Sequence, residues 1–203
     1  MTIAIIGTGN VGGALATQWS KAGHQILLGV RDIDQFKGQV LLSNANTSVH
    51  LIEEAVAKAE VILVATPPQF ANDLIEKFGD VEGKVIIDAT NAIRTNPKGY
   101  PTAYHAFQDL TKAEVVKCFN TTGYENMQNP NYGNVTLDLF MAGDHAKAKS
   151  VVKQLAIDAG FENCYDFGGS DRVELLEQFA LSWINLALFQ GMGRNIGFKL
   201  MER

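Results

Sequence analysis

One short stretch limits what this chain can become. The apolar run Ile3 to Ile6 reads as a β-strand, it stops at Gly7-Thr8-Gly9-Asn10-Val11-Gly12, and Gly13-Ala14-Leu15-Ala16 opens a helix. A G-x-G-x-x-G turn with a strand before it and a helix after it marks a βαβ unit that binds a dinucleotide. The reasons are local. Gly7 allows the tight turn, Gly9 has no side chain to keep a pyrophosphate off the backbone, and Gly12 lets helix and strand pack closely. The helix N-terminus offers free N–H groups and its positive dipole end to the phosphates, and Asn10, Val11 and Gly12 of the turn are expected to bind the cofactor with Gly7, Thr8 and Gly9. The competing reading is a bare turn; the strand and helix around it argue against that.

The alternation continues along the chain. Strand two covers Gln25 to Val30. A short strand near Ser48 to His50 precedes a helix from Leu51 to Ala59, and Val61 to Ala65 is an unbroken apolar strand of the kind found in the middle of a parallel sheet. Pro67 and Pro68 end it and start a helix through Phe78; Val85 to Asp88 and Val115 to Phe119 are strands five and six. Asn120 to Asn134, rich in Asn, Gly and Thr, reads as a functional loop. A second unit follows: strand Leu137 to Ala142, helix Asp144 to Ala159 with Asp144 as N-cap, a strand near Asn163 to Phe167, and a long final helix after Gly168-Gly169-Ser170. This order predicts an α/β chain with a Rossmann-type doubly wound, mainly parallel sheet and a small C-terminal α/β extension. It is expected to be one domain, with a dinucleotide-binding core over residues 1–135 and an extension over 136–203 that completes the sheet and a second pocket.

In the last helix Val173, Leu176, Ala180, Trp183, Ala187 and Gln190 recur at spacings of three and four, while Leu175, Phe179, Leu186 and Phe189 point another way. A helix apolar on two faces is buried on two sides. One side is then the sheet and the other a second copy in a symmetric dimer; burial wholly within the monomer is the alternative. Val173 to Phe189 also contains Glu174, Glu177, Gln178 and Asn185, so it reads as a core helix and not as a lipid span.

Hydrophobic residues make up 46% of the chain and charged ones 19%, which suits a large core, and a formal net charge of −5 without any basic cluster excludes an electrostatic nucleic-acid surface. The first strand begins at Thr2 or Ile3 with no basic region or cleavage site, so a cytoplasmic protein is expected. Cys118 and Cys164 lie in apolar runs and read as buried reduced thiols, with one disulfide as the other arrangement.

The end of strand two chooses the nucleotide. Asp32, about 20 positions past the last motif glycine, would take the ribose 2′-hydroxyl of NAD. If the strand ends at Val30, that residue holds the usual acidic position and Arg31 pairs a 2′-phosphate, with a hydroxyl contact from Thr8. The residues favour NADP, with NAD as the other reading. Thr66-Pro67, Asp88 to Asn91 and Asn120-Thr121-Thr122 are polar strand ends on one sheet edge and fit a nicotinamide pocket. Lys117, inside an apolar strand, is expected to snorkel or to lie on an exposed face rather than to serve as a catalytic amine. His24, His50, His105 and His145 have no metal or triad spacing. The chain thus offers a cofactor site and no evident acid, base, nucleophile or metal site. Hydride transfer from a nicotinamide to a stacked flavin-type ring fits that set, because it needs alignment more than a placed proton donor.

The opening Ile-Ile-Gly-Thr-Gly-Asn-Val-Gly, Leu28-Gly29-Val30-Arg31, and the ending Phe189-Gln190-Gly191-Met192-Gly193 through Gly197-Phe198-Lys199-Leu200 resemble the NADPH-dependent coenzyme F-420 (deazaflavin) reductases. Asp88 to Asn91, Val116-Lys117-Cys118-Phe119-Asn120 and the tail of the second unit are also similar to the cytosolic NADP-binding domain of membrane ferric reductases. The resemblance spans nearly the whole chain. It implies NADP as cofactor and a deazaflavin or flavin as co-substrate, with Thr8 and Arg31 at the 2′-phosphate. Val30 stands where the family has a serine, and Asp32 where another basic residue would help. Residues and resemblance together predict an NADP-dependent oxidoreductase. Its nicotinamide would lie near Thr66, Pro67 and Asn91, and its acceptor against Asn120, Thr121 and the Gly191-Met192-Gly193 turn. A small imine or hydroxy-acid reductase and a non-catalytic NADP redox sensor are the other readings.

Overall fold

A computed structural model describes residues 1–203. Six strands, β1 (Thr2–Ile6), β2 (Gln25–Val30), β3 (Thr47–Leu51), β4 (Val61–Val64), β5 (Val85–Asp88) and β6 (Glu114–Lys117), form one sheet in the order β3-β2-β1-β4-β5-β6. Every pair is parallel. This is the doubly wound, Rossmann-type arrangement, and its order reverses between β1 and β4, which opens a crevice at the carboxyl ends of those strands. The central strands are apolar on both faces because helices cover both. Ile3 and Ile5 enter one core with Leu15 and Trp19 of α1 (Asn10–Lys21) and Val152 and Leu155 of α6 (Ala146–Asp158). Ala4 and Ile6 enter the other, with residues of α2 (Ile52–Lys58), α3 (Ala71–Phe78), α4 (Ala103–Leu110) and α7 (Val173–Ile184).

Several details differ from the sequence reading. Helix α4 was not foreseen; Thr102 caps it by accepting from His105 N–H. The expected loop from Asn120 to Asn134 contains α5 (Tyr124–Gln128) and the first strand of a hairpin, β7 (Asn131–Tyr132) with β8 (Val135–Thr136). Its polar residues bond to one another: Asn126 Nδ2 donates to Thr122 Oγ1 at 2.7 Å, and Asn126 Oδ1 accepts from the Tyr132 hydroxyl at 2.6 Å. Asp144 is not the cap of α6. That place falls to His145, while the Asp144 carboxylate accepts from Ser170 N–H and the Gln108 amide, each at 2.7 Å. β9 (Asp138–Met141) and β10 (Asn163–Asp166) pair with each other in parallel, and Ala142 joins Lys117 by an antiparallel bridge.

On α7 the stripe Val173, Leu176, Ala180 and Trp183, with Ala187 beyond it, is buried, whereas Gln190 is exposed. On the second face Phe179 packs against Phe198 at 4.4 Å between ring centroids, but Leu175 and Phe189 stay 53% and 71% exposed. A π-helical turn over 185–189 ends the helix, and the Trp183 indole N–H then donates to the Ile196 carbonyl at 2.7 Å, tying down the tail. Cys118 and Cys164 are buried free thiols with sulfurs 3.7 Å apart, and burial pushes the Cys118 thiol well above its usual pKa. No helix is long and apolar enough to cross a membrane.

Candidate functional site

A cleft of about 970 Å³ lies over the carboxyl ends of β1, β2 and β4, lined by the glycine turn, by Gly29 to Asp32, and by Ala65 to Pro67. The three motif glycines do different things. Gly7 has φ +105° and a Cβ there would lie 2.6 Å from the Ala65 carbonyl oxygen; a Cβ on Gly12 would lie 1.9 Å from that of Gly7. Both are required by the fold itself. A Cβ on Gly9 would meet nothing within 4 Å, so this position keeps open space against the backbone. Gly9 is also the N-cap of α1, without a side-chain bond and with no acid in the first turn. The N–H groups that begin α1, at Asn10, Val11 and Gly12, therefore face the cleft end as unsatisfied donors with the positive dipole end behind them.

At the end of β2, Val30 is the last strand residue, and Arg31 follows it, exposed and in no ion pair. Lys37 lines the same end of the cleft, also outside any ion pair. The Thr8 hydroxyl donates to the Lys37 carbonyl, so its proton is engaged by the backbone and it ties the 31–38 segment to the glycine turn. Position 32 thus carries no basic side chain, and the unpaired one that lines this end of the cleft besides Arg31 is Lys37. Asp32 instead caps a turn, its Oδ1 accepting from Asp34 N–H at 2.9 Å and Gln35 N–H at 3.1 Å. Lys77, also in the lining, is paired with Glu53.

At the other end the strand termini carry unsatisfied polar atoms. Thr66 Oγ1, Thr90 Oγ1 and Asn120 Oδ1, after β4, β5 and β6, are buried without a partner. An unmet buried polar group costs about 1–3 kcal/mol; of the three, Thr66 is in the cleft lining, where a polar ligand group would satisfy it, and Thr90 and Asn120 lie outside that lining. Thr66 and Pro67 line the cleft; Asn91 does not. Asn91 pairs with Asn120 instead: Asn91 Nδ2 donates to the Asn120 carbonyl and Asn120 Nδ2 to Asn91 Oδ1, both at 2.9 Å. Thr121 is buried beside them. Gly191, Met192 and Gly193 lie on the surface outside the cleft lining, Met192 being 60% exposed.

Lys117 neither snorkels nor faces solvent. It is fully buried, and its Nζ donates to Asp88 Oδ2 at 2.9 Å, the Thr90 carbonyl at 2.6 Å and Glu177 Oε1 at 2.6 Å. The partner Glu177, on α7, had not been singled out for any role. The signal that could have found it was a charged residue in each of two apolar runs, which implies mutual burial. Tyr104, on the same face of the sheet, has an unpartnered hydroxyl whose pKa is pushed up chiefly by burial, so it stays protonated. Phe119, between Cys118 and Asn120, is a buried non-glycine residue at φ +62°, edge-on to Trp19 with centroids 5.6 Å apart.

Residues 2–92 match the family described as NADP oxidoreductase, coenzyme F420-dependent. The chain is 27% identical over 221 aligned residues to an F420-dependent NADP reductase of Methanothermobacter marburgensis, covering 98% of each. It is 27% identical over 162 residues to metalloreductase STEAP3 of Rattus norvegicus, covering 78% of this chain and 32% of that one. A solved structure from Arthrobacter sp. FB24, named as a candidate F420-dependent NADP-reductase, superposes with a TM-score of 0.86 over 100% of both chains at 24% identity, a likeness of fold. The resemblance to deazaflavin reductases and to ferric reductases is borne out.

Proposed function

We propose that this chain, similar along its length to an F420-dependent NADP reductase, is an NADP-dependent oxidoreductase that passes hydride between NADPH and a deazaflavin- or flavin-type acceptor stacked on the nicotinamide. The observation that carries the reading is the layout of one cleft. It runs from two unpaired basic side chains, past an open glycine, to the end of β4, where Thr66 Oγ1 is buried without a partner. Arg31 and Lys37 hold the 2′-phosphate through charge-assisted hydrogen bonds. The N–H groups of Asn10, Val11 and Gly12 hold the pyrophosphate. Thr66, Pro67 and Asn91 flank the nicotinamide. When bound, NADPH supplies a hydride, and the acceptor ring takes it. Asn120, Thr121 and Gly191-Met192-Gly193 form the acceptor wall, where the adaptable Met192 side chain lies against the ring. The core over 1–135 then holds the cofactor, and the extension over 136–203 completes the acceptor pocket.

The proposal extends to setting and assembly. Two unbonded thiols 3.7 Å apart fit a reducing cytoplasm, and the exposed Leu175 and Phe189 on one side of the α7 segment fit a second copy of the chain. The test is to follow NADPH and NADH oxidation by the purified protein with a deazaflavin, FMN and FAD. Oxidation of NADPH with at least one of them, and slower oxidation of NADH, is expected. Tight NADPH binding without turnover on any acceptor would favour the sensor reading. Light scattering at micromolar concentration is expected to give a dimer mass; a monomer removes the assembly.

A further inference from the structure

Three charged side chains are buried together beneath the turn that follows β5. Burying one cation with two carboxylates is expensive, and apolar side chains of like volume often stabilise more. What such a cluster supplies beyond packing is direction. Each Lys117 donor has its own acceptor, on Asp88, on the Thr90 backbone and on Glu177. Asp88 Oδ1 accepts from Thr90 N–H at 2.9 Å, and Glu177 Oε2 from Ala92 N–H at 2.8 Å. The backbone on both sides of Asn91 is therefore fixed by side chains from β5, β6 and α7. Asn91 has one place left for its amide, and there it pairs with Asn120.

We propose that Lys117 and Glu177 are positioning residues for hydride transfer. Through the 88–92 turn they set the Asn91–Asn120 amide pair, and they lock that pair to the helix leading to Gly191-Met192-Gly193. This rests on the reading of Asn91 and Asn120 as pocket walls. Neither Lys117 nor Glu177 touches the reactants, so their loss acts on alignment and not on nucleotide affinity.

The test is Lys117→Met with Glu177→Leu, a variant that leaves Asp88 as the only carboxylate and so keeps the net buried charge of the native cluster. NADPH affinity is expected to be unchanged. kcat falls about tenfold to a hundredfold, the scale of small misplacements at a reacting centre, and the acceptor KM changes less than kcat. Amide hydrogen exchange speeds up at Ala92, which loses its Glu177 acceptor, while Ile3 to Ile6 stay protected. Wild-type kcat in the folded variant, or continued protection of the Ala92 amide, overturns the proposal. Should the double variant fail to fold, Glu177→Leu keeps the Lys117–Asp88 pair and frees the Ala92 N–H and one Lys117 donor. It must show the same loss of kcat and of Ala92 protection, and wild-type values in it overturn the proposal equally. A wild-type chain without turnover would defeat the function proposed above. Exchange at Ala92 would then still decide whether the cluster holds the turn.

Discussion

Two turns leave the same edge of the sheet and are shaped by opposite means. The turn after β1 is defined by what is missing: no Cβ fits at Gly7 or Gly12, and the space over Gly9 stays open. The turn after β5 is defined by what is added, three charged side chains from three elements gripping Thr90 and Ala92. The first is written in six consecutive residues. The second is spread over residues 88 to 177 and exists only once the chain has folded.

The sharpest way to break this comparison is Lys117→Met alone. It leaves the Asp88 and Glu177 carboxylates buried without their cation, a change that costs about 3–5 kcal/mol. For a chain of this length thermal unfolding should begin roughly 10 °C earlier. Calorimetry showing wild-type stability would mean that the second turn does not depend on its charges. The first turn is probed by a pair of variants. Gly12→Ala should destabilise by about 3 kcal/mol, the upper part of the range for overpacking, because its methyl meets a backbone oxygen. Gly9→Ala should keep the wild-type melting temperature yet lose NADPH binding in a titration. Equal melting temperatures for the two would erase the distinction between a fold glycine and a ligand glycine. The smallest effect is expected at Arg31→Ala, about 1.5–3 kcal/mol of NADPH affinity, the range for hydrogen bonds to charged groups, with little change for NADH. Equal losses for both nucleotides would sink the 2′-phosphate reading.

What the sequence shows well is what depends on near neighbours. Strands β1, β2, β4 and β5 stand within a residue of the apolar runs that announced them, because burial on both faces demands such runs. The glycine turn is legible for the same reason. Lys117 was misread because its partners lie 29 residues before it and 60 after it. Lys37 was missed because only the contact from Thr8, also 29 residues away, brings it to the cleft. The polar residues from Asn120 onward suggested irregular chain, since composition alone does not tell a solvated amide from one bonded inside a network such as that of Asn126.

Phe119 upsets the count of a strand. Val116 and Cys118 stand in one core and Lys117 on the opposite face, so ordinary alternation would send Phe119 the way of Lys117. Its positive φ, a conformation that costs a bulky residue about 1–3 kcal/mol, resets the phase. Cys118 and Phe119 enter the same core, and Asn120 emerges against Asn91. One residue inserted or deleted between Lys117 and Asn120 would undo this offset. A deletion would drive the Asn120 amide into the place of Phe119 in the hydrocarbon core, and an insertion would bring Phe119 or the inserted residue to the place of Asn120. The segment can accept side chains of similar volume, but its length is not free to vary.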